Sequence, residues 1–166
     1  MGLTYGIDIH GTLADKQPDG TQEPSTLFPL LKPLMKAWVE HGEMVYILSG
    51  PTRDVIKAEL EALGLERGVH YNEVISVVDY LRYVAEVPME ERSPGHWWTL
   101  PGDEHLWDEA KGKLAELHNI DIVVDDQIEY EAGMPGYTSF VHVTASLLHP
   151  DEDQLKAAAG QMIGGS

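Results

Sequence analysis

Short apolar runs alternate along this chain with stretches of helical periodicity. Leu3–Ile9 (LTYGIDI) reads as a buried strand. The polar, Gly-, Pro- and Asp-rich stretch 13–26 reads as a loop. From Leu27 to His41, apolar residues recur at Leu27, Leu30, Leu31, Leu34, Met35, Trp38 and Val39, the spacing of one helix face. Pro29 suits the first turn of that helix, Pro33 removes a hydrogen bond or kinks it, and Gly42 is its expected stop. Met44–Leu48 (MVYIL) is a second strand, ending at Ser49-Gly50. Thr52 is a candidate cap for a helix to about Leu63, with Val55, Ile56, Leu60 and Leu63 on one face. Val74–Val78 reads as a third strand that bends quickly into the helix-like DYLRYVAEV. The stretch 88–102 is irregular and holds Trp97-Trp98. Asp103–His118 is helical, Ile120–Val124 is a fourth strand ending on Asp125-Asp126, Ser139–Thr144 a fifth, and a last helix starts near Asp151.

Strands alternating with helices predict an α/β fold: a Rossmann-like three-layer sandwich around a five-stranded, mainly parallel sheet. The 166 residues suit a single domain over 1–166, with room for a small lid or loop insertion over 86–104 and no large cap domain. No run approaches the length of a membrane span, and the first residues lack a basic-then-apolar leader, so a cytoplasmic location is the default expectation.

Charge and cysteine count narrow the chemistry. With 28 acids against 11 bases the formal charge is −17, a surface that repels nucleic-acid polymers and gives no membrane-binding signal. No cysteine is present, which excludes disulfides, thiolate zinc sites and cysteine nucleophiles.

Three strands end on polar groups: Asp8, Ser49 and Asp125-Asp126. In an open parallel sheet, ligands bind beyond the carboxyl ends of the strands. Asp8, Asp125 and Asp126 would meet there, repelling one another and raising their pKa values. A hard cation with oxygen ligands resolves that, and Mg²⁺ is the natural choice.

These segments resemble a known family. GIDIHGTLAD, from Gly6 to Asp15, resembles the first motif of the haloacid dehalogenase (HAD) superfamily, an apolar strand followed by Asp-x-Asp-Gly-Thr-Leu. MVYILSG resembles the second motif, Lys111 in WDEAKGKLAEL the third-motif lysine, and IDIVVDD the acidic fourth motif. Asp8 to Ser49 spans 41 positions, Ser49 to Lys111 62 and Lys111 to Asp125 14, which fits the family order.

The resemblance implies a capless phosphatase or nucleotidase-like member acting on a small phosphorylated metabolite, with a nucleotide as one candidate. Asp8 would attack phosphorus and form an aspartyl phosphate. Mg²⁺ would be held by Asp8, the main-chain carbonyl of His10 and Asp126. Ser49 would bond a phosphate oxygen, Lys111 would offset charge, and Asp125 would orient Lys111 or the metal's water. Thr12, Gly50 and Arg53 are supporting positions, and Lys113 is the second candidate for the lysine. His10 departs from the family, which carries aspartate there as acid/base. An imidazole can take that role near neutrality. The alternative is a catalytically weak or silent binding or scaffold protein on the same fold; dehalogenation is a more distant one. Trp97, Trp98 and Trp107 are open to two readings, a stacking surface or a satellite hydrophobic cluster.

Overall fold

The computed structural model describes residues 2–19 and 21–143. Its central sheet has five strands, all pairs parallel: β1 (Thr4–Ile7), β4 (Met44–Ser49), β5 (Glu73–Ser76), β8 (Ile122–Asp125) and β9 (Ser139–His142), in the order β5-β4-β1-β8-β9. β1 is central, and the chain leaves it first toward β4 and later returns to its other side as β8. That reversal creates a crevice at the carboxyl ends of β1 and β8, where open α/β sheets hold their ligands.

Two apolar clusters cover the two faces, as alternation along β4 requires. Val45 and Ile47 pack with Tyr5, Ile7, Leu31 and Met35 of α1 (Phe28–Glu40) and Ile56 and Leu60 of α2 (Arg53–Ala62). Leu48, with Tyr46 partly buried, faces Ala110, Leu114 and Ala115 of α4 (Glu104–Leu117) and Leu81 on the other side. The expected three-layer α/β sandwich is therefore present among the described residues. Tyr5 stacks on Trp38 with ring centroids 3.9 Å apart, joining α1 to the sheet. Pro33 lies inside α1, where the sequence predicted a lost hydrogen bond or a kink, and Pro29 lies in its first turn.

Several segments differ from the sequence expectation. Part of the loop 13–26 is a small antiparallel hairpin, β2 (Ala14–Lys16) with β3 (Gln22–Pro24). The Ser25 hydroxyl donates to the Thr12 carbonyl at 2.6 Å and ties it to the loop after β1. The stretch 88–102, read as irregular, holds a second hairpin, β6 (Met89–Ser93) with β7 (His96–Thr99). The third strand ends at Ser76. Its last predicted residues, Val77 and Val78, already belong to a short helix, α3 (Val77–Asp79), that continues as a π-helical turn over Tyr80–Val84. Thr52 stands at the cap position of α2, but its side chain makes no capping bond; the Asp79 carboxylate accepts the Arg53 N–H at 3.1 Å instead. The helix expected from Asp151 lies outside the described residues. No helix among the described residues is long and apolar enough to cross a membrane.

One close approach matters for the site. A 3₁₀ segment, Ile128–Gly133, follows β8 and lies against α4. A Cβ on Gly112 would stand 1.9 Å from the Gly133 carbonyl oxygen. Alanine in mid-helix ordinarily gains about 1 kcal/mol over glycine. Here the backbone contact dominates, because no rotamer change relieves it. Gly112→Ala is expected to destabilise the protein by roughly 1–3 kcal/mol. Urea denaturation measures this, and an unchanged or raised midpoint would contradict the close packing.

Candidate active site

Register brings the strand-end groups together. Ile7 pairs with Val124 on one side and Ile47 on the other, so Asp8 stands beside Asp125 and one position short of Ser49. The Asp8 N–H donates to the Val124 carbonyl at 3.0 Å, which holds the residue in line beyond the end of β1. Asp8, Ser49, Lys111 and Asp125 are all buried.

Lys111 comes from the buried face of α4, next to Ala110 and one turn before Leu114. Its ammonium donates to Asp8 Oδ1 at 3.1 Å and makes a short ion pair with Asp125 Oδ2. The Tyr130 ring lies 4.8 Å from Nζ. Lys113, the second candidate, lies on the exposed side of the helix and pairs with Glu109. Helix geometry separates the two, since positions two apart point to different faces.

The second oxygen of Asp125 accepts the Gln127 N–H at 3.0 Å, so both of its oxygens have partners. Asp8 Oδ2 has Thr12 Oγ1 at 3.5 Å, and Asp126 Oδ2 has the Gln127 amide at 3.3 Å. Oxygens of Asp8, Asp125 and Asp126 lie within 4.8 Å of one another. Gly11 makes this approach feasible. It has φ +82, and a Cβ there would stand 2.0 Å from Asp126 Oδ2.

Three carboxylates meet one ammonium, and the titration directions reflect the imbalance. Burial pushes the Asp8 carboxyl up, Lys111 opposes it, and Asp125 and Asp126 push it further. Asp126 is raised by burial and then by Asp125. Burial alone would lower Lys111, but Asp8 and Asp125 outweigh it and raise its pKa, so it stays charged. The surplus negative charge and the free capacity of Asp8 and Asp126 fit a small divalent cation with oxygen ligands. The Ser49 hydroxyl is buried with no hydrogen-bond partner among the described residues. A buried hydroxyl left so has capacity for a further hydrogen bond, to water or to a bound group.

His10 follows β1 at the mouth of the site. Its Nε2 lies 2.7 Å from Glu59 Oε2 of α2. Burial pulls its pKa down, but the hydrogen bond and charge of Glu59, aided by Asp8, raise it overall. The Glu59 bond leaves Nδ1 as the ring nitrogen open to a ligand.

Arg53, a supporting candidate, does not join this group. Its guanidinium faces Glu73 at 3.5 Å, away from the carboxylates. Gly50 does lie at the edge of the site, beside Trp107. Glu59 and Tyr130 belong to the site yet carry no motif signal. Glu59 is 49 positions from His10, and Tyr130 reaches Lys111 only because its 3₁₀ segment packs on α4. Tyr130 is further fixed by the Trp107 indole, which donates to its hydroxyl at 3.2 Å.

No family model matches the chain, and no curated protein does. Similar solved structures include a protein from Streptomyces avermitilis MA-4680 that carries the provisional description HAD family hydrolase, at 14% identity and TM-score 0.39, covering 77% of this chain. This chain spans 59% of that protein's length. Thermoplasma acidophilum 0175 aligns at 14% identity and TM-score 0.42, covering 88% of this chain and 94% of its own. The hypothetical protein XCC2798 from Xanthomonas campestris aligns at 11% identity and TM-score 0.39, covering 95% and 88%. Strand order and register, rather than these likenesses, carry the fold assignment.

Proposed function

We propose that the protein is a Mg²⁺-dependent phosphomonoester hydrolase that works through a phosphorylated Asp8. The observation that carries this reading is the buried Asp8–Lys111–Asp125 group at the crevice of the sheet, beside a buried serine hydroxyl that has no partner among the described residues. The motif resemblance of the sequence points to the same chemistry.

In the first step an Asp8 carboxylate oxygen attacks phosphorus, the bond from phosphorus to the leaving oxygen breaks, and the leaving oxygen takes a proton from the His10 imidazolium. In the second, water attacks the same phosphorus and gives its proton to His10. Inorganic phosphate leaves and the Asp8 carboxylate is restored. The Lys111 ammonium, already bonded to Asp8, offsets charge on nucleophile and phosphoryl oxygens. The Ser49 hydroxyl donates to a phosphoryl oxygen, which satisfies it. Asp125 holds Lys111 in place. Asp8, the His10 carbonyl and Asp126 would hold Mg²⁺, which when bound supplies charge neutralisation at the phosphoryl oxygens. Glu59 orients His10 and favours its protonated form. The partner is a small phosphorylated molecule.

A panel of phosphomonoesters assayed with Mg²⁺ and with EDTA tests this directly. At least one substrate should turn over only with the metal. If none is hydrolysed faster with Mg²⁺ than with EDTA, the catalytic reading fails and a binding role on the same fold replaces it.

A further inference from the structure

An aromatic recess adjoins the edge of the proposed phosphoryl site at His10 and Gly50. A half-open cavity of about 110 Å³ is lined by His10, Gly50, His96, Trp97, Trp98 and Trp107, and its wall is mostly apolar. Larger grooves lie elsewhere. One of about 400 Å³, along Tyr83, Val84 and Leu117, includes neither His10 nor Gly50.

The recess is a built wall. Trp97 and Trp98 come from β7, and Trp107 from the start of α4. The hairpin is anchored where the Gly95 carbonyl accepts the Thr52 N–H at 3.0 Å, which fastens its turn to the start of α2. The Arg82 guanidinium lies 3.6 Å over the Trp97 ring. Trp98 and Trp107 stack with centroids 5.3 Å apart, and Trp107 is held by its bond to Tyr130. These contacts hold the rings before any ligand arrives, which reduces the ordering cost of binding. Trp98 is 43% exposed, so part of its ring remains accessible to a ligand.

We infer that this recess receives the leaving group, and that the preferred substrates are phosphomonoesters carrying a single aromatic ring next to the ester oxygen. The inference rests on the hydrolase reading of the same site. His10 belongs to both places: it is the acid for the leaving oxygen and part of the recess lining. Whatever is bonded to that oxygen therefore begins at the recess. Flat rings stack on tryptophan, with gains of roughly tenfold or more per ring. Size sets the upper limit. A closed cavity of about 150 Å³ holds benzene. The recess here, about 110 Å³ and open on one side, is sized for no more than one six-membered ring, so a second fused ring would project beyond its walls.

Benzyl phosphate and ethyl phosphate provide the test, because both release an alkoxide of similar basicity and differ mainly in the ring. With Mg²⁺ present, kcat/KM should favour benzyl phosphate by about tenfold or more, and 2-naphthylmethyl phosphate should gain nothing further. The preference should collapse toward unity in Trp98→Leu, a half-exposed position whose replacement leaves the core intact. Benzylphosphonate, which is not hydrolysed, should quench tryptophan fluorescence at concentrations where ethylphosphonate does not. Equal rates for the two esters, or a preference retained in Trp98→Leu, would overturn the inference while leaving the hydrolase reading in place. Absence of turnover on every ester would instead remove the hydrolase reading. The phosphonate titration then decides whether the recess binds an aromatic ring, and quenching by neither phosphonate would overturn that too.

Discussion

Replacing Lys111 by methionine is expected to cut turnover by about 10²–10³ and to weaken the fold at the same time. Its ammonium is buried and shared between Asp8 and Asp125. Without it, two buried carboxylates face each other and Asp126 with no cation from the protein. Removing one partner of a buried ion pair costs about 3–5 kcal/mol. Loss of a preorganised positive group beside the phosphoryl site costs on the order of 10²–10³ in kcat. The two effects are separable. Adding Asp125→Asn to Lys111→Met removes one stranded charge and should recover part of the stability, with no recovery of rate. Chemical denaturation and steady-state kinetics read these independently. A Lys111→Met chain as stable as wild type would mean that the ammonium does not neutralise the cluster.

Asp8→Asn is expected to separate activity from stability in the opposite sense. As the proposed nucleophile, its loss should lower kcat by roughly 10⁴–10⁶. Stability should hold or rise at neutral pH. Burial and the neighbouring acids raise the folded-state pKa of Asp8 above its unfolded value. The charged carboxylate therefore costs stability, increasingly as pH rises from the unfolded value of about 3.9 toward neutrality. Asparagine removes that cost. The stability difference between Asp8→Asn and wild type should grow in favour of the variant from acid to neutral pH. A difference independent of pH would argue against a strained carboxylate at this position.

The strand-end residues were legible because the sheet topology itself creates their neighbourhood. Once β1, β4 and β8 are parallel, the residues after their last apolar positions must share one edge, and Asp8, Ser49 and Asp125 do. Lys111 and Lys113 were both open as candidates in the sequence, and only the folded helix separates them, with Lys111 turned to the carboxylates and Lys113 paired with Glu109. The two hairpins escaped because their strands are short and largely polar, as in Gln22–Pro24 and Met89–Ser93, so alternation against a core is absent. Arg53 looked like a ligand by its place after Ser49-Gly50, but Glu73 on the neighbouring strand holds its guanidinium. Glu59 was invisible because a single acid on a solvated helix carries no signal until the loop holding His10 folds over it. The aromatic wall had its residues legible and its shape hidden. Trp97-Trp98 and Trp107 were evident, but only the fold of the β6–β7 hairpin places them beside His10.

The covalent phosphoaspartate is the central claim, and rapid acid quench followed by peptide mass spectrometry tests it most directly. The His10→Ala chain is the best subject when the ester has a nitrophenolate leaving group, which departs without the proton His10 supplies, so that only the water-activating second step is slowed and the adduct persists. Mixed with that ester and Mg²⁺, it should carry one phosphoryl group on the peptide containing Asp8. The adduct should be absent from His10→Ala combined with Asp8→Asn and absent in EDTA. Metal-dependent turnover with no phosphoryl group on that peptide at any quench time, or with the group on a different residue, would contradict the account.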